Sequence, residues 1–187
     1  TLNPTVAAWC TKKYVPFVSE KMNRDGMPIF PYVAFRQWHN PRSGLITYGS
    51  RPMLSHGYTI LSDRPCLLIE THMLKPYKVR VDATKNMLFH TFKYLSDNHE
   101  SYMSILRGAD QERVSDKFAL SPFPIALATD MNDSTIIDFL GMQFDTLKSG
   151  ITGGIYYKYD NTKPVTWQIP LFDQVYVSDS IYLPIAY

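Results

Sequence analysis

Apolar side chains recur at helical spacing near the start of the chain: Val6, Trp9, Cys10, Tyr14, Phe17 and Val18 form one stripe that ends near Gly26. Asn3 precedes it as a cap, and Pro4 takes the first helical position, where a missing N–H costs nothing. The pattern predicts an amphipathic helix whose apolar face covers a sheet. Similar spacing predicts a helix over residues 77–97, with Val81, Met87, Leu88, Phe92 and Leu95 inward. Another is predicted over 101–114, with Met103, Ile105 and Leu106 inward. Between the first two lie a predicted strand over 28–38, a Pro/Gly turn over 39–44 and a short strand or loop over 45–48. Loop chemistry follows through Gly49, Pro52 and Gly57.

The run Cys66, Leu67, Leu68, Ile69 is too short for a helix and rich in branched side chains, so it reads as a buried strand of a parallel sheet in an α/β protein. Glu70 would then stand at its carboxyl end, the edge of an open α/β sheet where ligands bind and reacting groups are carried. The alternative is structural: Glu70 caps a loop or pairs with Lys75 or Arg80.

From about Phe118 the texture changes to short β-type runs broken by Pro, Gly and Asn-Asp, at residues 125–128, 136–144, 154–159 and 165–169. This predicts an all-β, sandwich-like unit over 117–187 behind an α/β portion over 1–116. Residues 159–164 read as a hairpin turn, and 149–154 as a flexible loop that lacks the Lys and following helix of a phosphate cradle.

Composition narrows the classes. Of 187 residues 45% are hydrophobic and 19% charged, as in a folded globular chain of one or two domains. Lys+Arg 19 against Asp+Glu 17 gives +2, with no basic run interleaved with aromatics, so nucleic acid is not the expected partner. No apolar run approaches the ~20 residues that span a bilayer, so no membrane partner is expected. Cys10 and Cys66 could pair only if their elements touch; two reduced core thiols are the simpler expectation.

The block RPCLLIETHMLKPYKVRV, preceded by SHGYTI, resembles the carboxyl-terminal part of the catalytic domain in the M14-type zinc carboxypeptidases, especially bacterial members. The resemblance covers roughly the first hundred residues, and the remainder resembles the β-rich extension that some members carry. It implies the C-terminal part of a mixed-sheet α/β domain, a peptide substrate cleaved at its C-terminus, zinc in the full-length parent, and an exported enzyme. It also implies that Glu70 is the family's general base and acid. The chemistry needs such a group: zinc lowers the pKa of a bound water toward ~7, and a carboxylate carries the proton to the leaving amine. A substrate-closing tyrosine from a mobile loop is expected at Tyr58, or second at Tyr48; the alternative for each of these, among 13 tyrosines, is an ordinary ring at the edge of the core.

The chain departs from the family at the metal. The expected ligands are two histidines and a glutamate, one His and the Glu in an H-x-x-E arrangement, and no such pair occurs among His39, His56, His72, His90 and His99. His72, two residues after Glu70, would share its side of a strand and help shape the site. No zinc is therefore expected in this chain alone. It begins at Thr1, keeps a strand-like pattern to its final residue, and resembles the family only from mid-domain. These features lead to the expectation of a truncated piece, inactive by itself, with zinc ligands on upstream sequence. A second reading is a non-catalytic module that binds peptide or glycan on an aromatic β surface of Tyr156, Tyr157, Tyr159, Trp167, Phe172 and Tyr176.

Overall fold

A computed structural model describes residues 3–38 and 40–184. The chain is mixed α/β and divides into two compact units interleaved in sequence. One comprises the residues up to Pro31, Gly49–Ala126, and those from Val177 on; the other comprises Tyr32–Tyr48 and Leu127–Tyr176.

The first unit is helical. α1 (Pro4–Trp9), a π-helical turn (Cys10–Tyr14) and α2 (Val15–Arg24) follow one another without a break. The Asn3 side chain accepts from the N–H groups of Thr5 at 2.9 Å and Val6 at 3.5 Å, as a helix cap does. The widened turn leads into Pro16, which has no N–H to offer the Lys12 carbonyl, and a π turn is one way a helix absorbs such a gap. Gly26, at φ 71°, ends the rod in the left-handed conformation that glycine adopts without a Cβ penalty.

The stripe Val6, Trp9, Tyr14, Val18 and Met22 is buried as its spacing requires, but helices cover it, not a sheet. Its partners are Met87 and Tyr94 of α4 (Tyr77–Asp97) and Leu106 and Ala109 of α5 (His99–Arg113). Trp9 stacks on Tyr14 at 5.6 Å and meets the Tyr102 ring at 4.8 Å, while the Tyr14 hydroxyl pairs with Thr91 Oγ1 at 2.8 Å. The inner face of α4 is the Met87–Tyr94 side. Val81, Leu88 and Phe92 form a second apolar row that stays exposed, as does Met103 on α5. Periodicity alone does not say which of two rows meets the core.

Two elements of this unit differ from expectation. Residues 64–70 form neither strand nor helix; Leu67 and Leu68 are exposed, and only Ile69 packs against the helical core. No strand among the described residues pairs with this run, so it has no sheet to cover it. Residues expected as loop form α3 (Ser55–Leu61) instead. Gly57 within it disguises the helix: a Cβ there would lie 2.0 Å from the Arg51 carbonyl oxygen, so glycine is required by close backbone approach. α6 (Asp116–Ala119) is the last helix among the described residues.

The second unit is built on a mixed four-stranded sheet. β1 (Phe35–Gln37) pairs antiparallel with β2 (Asn40–Ile46), and Leu45 and Ile46 of β2 pair parallel with Leu171 and Phe172 of β5 (Ile155–Phe172). The predicted turn over 39–44 is thus mostly strand; its residue 39 lies outside the described residues. β4 (Thr135–Lys148) pairs antiparallel with β5 from Thr135↔Leu171 to Lys148↔Ile155. Residues 149–154 close this hairpin, with Ser149 N–H donating to the Gly154 carbonyl at 2.8 Å.

The turn predicted over 159–164 is a bulge inside β5: Gln143 faces Asp160, but Met142 faces Pro164. Asp160 accepts from Thr162 N–H at 3.0 Å and Thr162 Oγ1–H at 2.6 Å, so the local turn chemistry is satisfied without reversing the chain. Leu45, Ile169 and Leu171 form the core of this unit. β3 (Phe123–Thr129) and β6 (Val175–Ile181) form a separate small antiparallel sheet, their residues divided between the two units. The strand-like run predicted to the end of the chain reaches Ile181; residues 185–187 lie outside the described residues. No helix among the described residues is long and apolar enough to cross a membrane.

Candidate functional site

The helical unit contains a cavity of about 180 Å³ where the start of α1, the end of α3 and the end of α5 converge. Asp63 stands just beyond α3 at φ 51°, a left-handed conformation that Asp tolerates better than most residues. It is only 6% exposed, and both of its carboxylate oxygens are engaged. Its Oδ1 accepts from Asn3 N–H at 2.7 Å; its Oδ2 accepts from Arg113 Nε–H at 3.0 Å and Nη2–H at 2.7 Å. A carboxylate buried this far requires such pairing.

Arg113 ends α5, and its guanidinium lies 5.3 Å from the Phe118 ring. Asn3 spends its side-chain oxygen on the α1 cap and donates from Nδ2 to Glu112 Oε2 at 2.7 Å. Arg64 adds a two-pronged contact to Asp110, at 2.7 and 2.9 Å. Residues from three stretches far apart in sequence, Asn3, Asp63 and the pair Glu112–Arg113, thus meet on one wall. No motif joins them; the only local signals were the cap at Asn3 and the Ser62-Asp63 break after an apolar run.

The residues singled out from sequence lie elsewhere. Glu70 is exposed, outside the cavity, and its carboxylate has no hydrogen bond or ion pair among the described residues. The pairing with Lys75 or Arg80 is therefore absent among those residues. Tyr58 is 65% exposed on α3, a helix where a mobile loop was expected. Tyr48 is 64% exposed and belongs to the second unit. His72 Nδ1 accepts from Leu74 N–H at 3.2 Å, fixing the ring over its own turn. His90 is paired with Asp25 at 2.8 Å. No group of three or more His, Cys, Asp or Glu among the described residues could hold a metal ion. Both cysteines are free, and Cys66 is exposed instead of buried in a strand. Cys10 is half-buried, which pushes its thiol pKa up.

In the second unit the aromatic residues gather on one face of the β4–β5 pair. Trp167 lies parallel to Phe139 at 6.1 Å and edge-on to Phe144 at 5.4 Å; Phe144 also meets Tyr157 at 5.2 Å and Tyr159 at 5.4 Å. The Arg42 guanidinium sits over this cluster, 5.1 Å from the Phe144 ring and 5.8 Å from that of Trp167. Gly141 makes room for it: a Cβ there would come within 2.8 Å of the Trp167 ring. Of the six aromatics proposed from sequence, Tyr157, Tyr159 and Trp167 join the network. Phe172 is buried beneath Arg36, while Tyr156 and Tyr176 stand exposed.

Set against protein-family models, curated proteins and solved structures, the chain matches none.

Proposed function

We propose that the chain is part of a zinc-dependent, carboxypeptidase-like hydrolase that cleaves peptide or amide bonds at a C-terminus, with Glu70 as the group that takes and returns a proton. The observation that carries this reading is the state of Glu70. Within the block RPCLLIETHMLKPYKVRV it is a solvent-facing carboxylate with no hydrogen bond or ion pair among the described residues. A carboxylate that is reachable by water and not held by a partner is able to take up and return a proton, as a general base must. On this reading Glu70 removes a proton from the attacking water and delivers it to the departing amine, while Tyr58 closes over the peptide. The described residues do not fit a zinc site by themselves, so this reading needs ligands from outside them.

The test is made on the product of the full coding sequence, with peptides bearing free and amidated C-termini. Hydrolysis confined to the free terminus, and lowered about a hundredfold or more by Glu70→Gln, is expected. Unchanged hydrolysis in that variant would remove Glu70 from the chemistry.

A second reading is supported by the Arg42-covered aromatic face: a non-catalytic module that binds peptide or glycan there. It predicts that Trp167→Ala abolishes ligand binding while Glu70→Gln leaves it untouched.

A further inference from the structure

We propose that α4 carries a self-association surface, on which a second copy of this chain docks its own α4 in antiparallel orientation. The helix runs 21 residues, about 30 Å, and buries only its Met87–Tyr94 side. Beside that side Tyr77, Val81, Leu88 and Phe92, spaced by four, seven and four residues, share a second face, and Phe89 widens it. All five are exposed. Tyr77, Phe89 and Phe92 are 76%, 62% and 65% exposed, and such a ring buries ~150–250 Å² when fully covered. These three alone leave roughly 400 Å² per copy, half of the ~800 Å² that each partner contributes to a stable pair. Val81, Leu88 and the stems of the flanking lysines add to it.

The charges along one flank of this face select a second copy as the occupant. Lys78 Nζ meets Asp82 Oδ2 at 2.6 Å and Lys93 Nζ meets Asp97 Oδ2 at 3.0 Å, so the flank alternates in sign along the helix. Asp82 stands six residues before Leu88 and Lys93 five after it, while Lys78 and Asp97 stand ten before and nine after. A two-fold axis near Leu88 therefore sets Asp82 level with Lys93 of the second copy, and Lys78 level with its Asp97, each contact occurring twice. The same operation brings Val81 toward Phe92 across the axis. Lys85, three residues before Leu88, falls level with Thr91 and meets no like charge. In a parallel pair each of these charges would face itself, which opposes association. Glu70 has no part in this surface, which stands or falls apart from the peptidase reading.

Sedimentation equilibrium of the chain over about 1–500 µM should show a monomer–dimer equilibrium in the micromolar range, weakened about tenfold or more by Phe92→Ser. Asp82→Lys and Lys93→Asp should each associate less than the native chain, because like charges then face each other across the axis. An equimolar mixture of those two variants should dimerise again, since both opposed pairs are restored in the mixed dimer. That recovery also separates lost association from lost folding. A chain that stays monomeric throughout, a dimer indifferent to Phe92→Ser, or a mixture that pairs no better than either variant alone would each overturn the proposal.

Discussion

His90 Nε2 lies 2.8 Å from Asp25 Oδ2, joining the end of α2 to the middle of α4, and Asn86 Nδ2 donates to the same oxygen at 2.9 Å. These bonds, that of His90 first, hold the Asp25 carboxyl below the usual carboxylate range. A carboxyl whose pKa is lower when folded stabilises the fold above its unfolded value, near 4, and loses that contribution as pH falls through the folded value. Thermal unfolding of the native protein should therefore weaken more steeply below about pH 4 than that of Asp25→Asn. Parallel acid limbs for the two proteins would show that the contact contributes nothing.

Asp160 gives a more direct titration. The hydroxyl and N–H of Thr162, with Lys163 Nζ at 3.1 Å, hold its carboxyl at about 2. The stability it lends is present above about 4 and lost as pH falls through about 2. Carbon-detected NMR should find Asp160 titrating near there, and Thr162→Val should move it back toward the ordinary range. An Asp160 that already titrates normally would mean that the bulge is not closed in solution.

The Asp63–Arg113 pair is buried on the acid's side, so removing one partner strands the other. Asp63→Ala should lower stability by about 3 kcal/mol in urea unfolding. Replacing both, Asp63→Leu with Arg113→Met, should recover part of that loss, because no charge is left unpaired. Equal losses in the single and double variants would place the stabilisation in the Asn3 bond instead.

Gly57→Ala should cost about 1–3 kcal/mol, since the new methyl would meet the Arg51 carbonyl and either α3 or residues 49–54 must shift. A neutral effect would mean that this approach relaxes freely.

Glu70→Gln should leave stability within about 0.5 kcal/mol of the native value, because the side chain is exposed and unpaired among the described residues. Matched unfolding curves would make any loss of hydrolysis in that variant a chemical effect.

The helices were the most legible part of the chain. Asn3, Pro4 and the stripe to Val18 define α1 and α2 locally, and the spacings at 77–97 and 101–114 define α4 and α5. What covers a stripe is not local, which is why a sheet was expected where Met87 and Tyr94 pack. The run Cys66 to Ile69 carries strand-like side chains, yet a strand is made by its neighbours, and none pairs with it among the described residues. Asp160 and Thr162 form turn chemistry that serves equally for a hairpin or a bulge. The cavity wall has no local signature, because Asn3, Asp63 and Glu112 meet only after three separate elements have been placed.

The interleaving of the two units sets an order on biosynthesis. Leu45 and Ile46 leave the ribosome well before their parallel partners, Leu171 and Phe172. Helices α1, α2, α4 and α5 rely on contacts complete by Arg113 and can assemble while the chain is still growing. The β1–β2 ribbon must meanwhile wait as an open edge, exposed to pairing with other chains until β5 arrives. Aggregation during expression is thus expected to track the lifetime of that edge, and chains cut short before Pro170 should be the most prone to it.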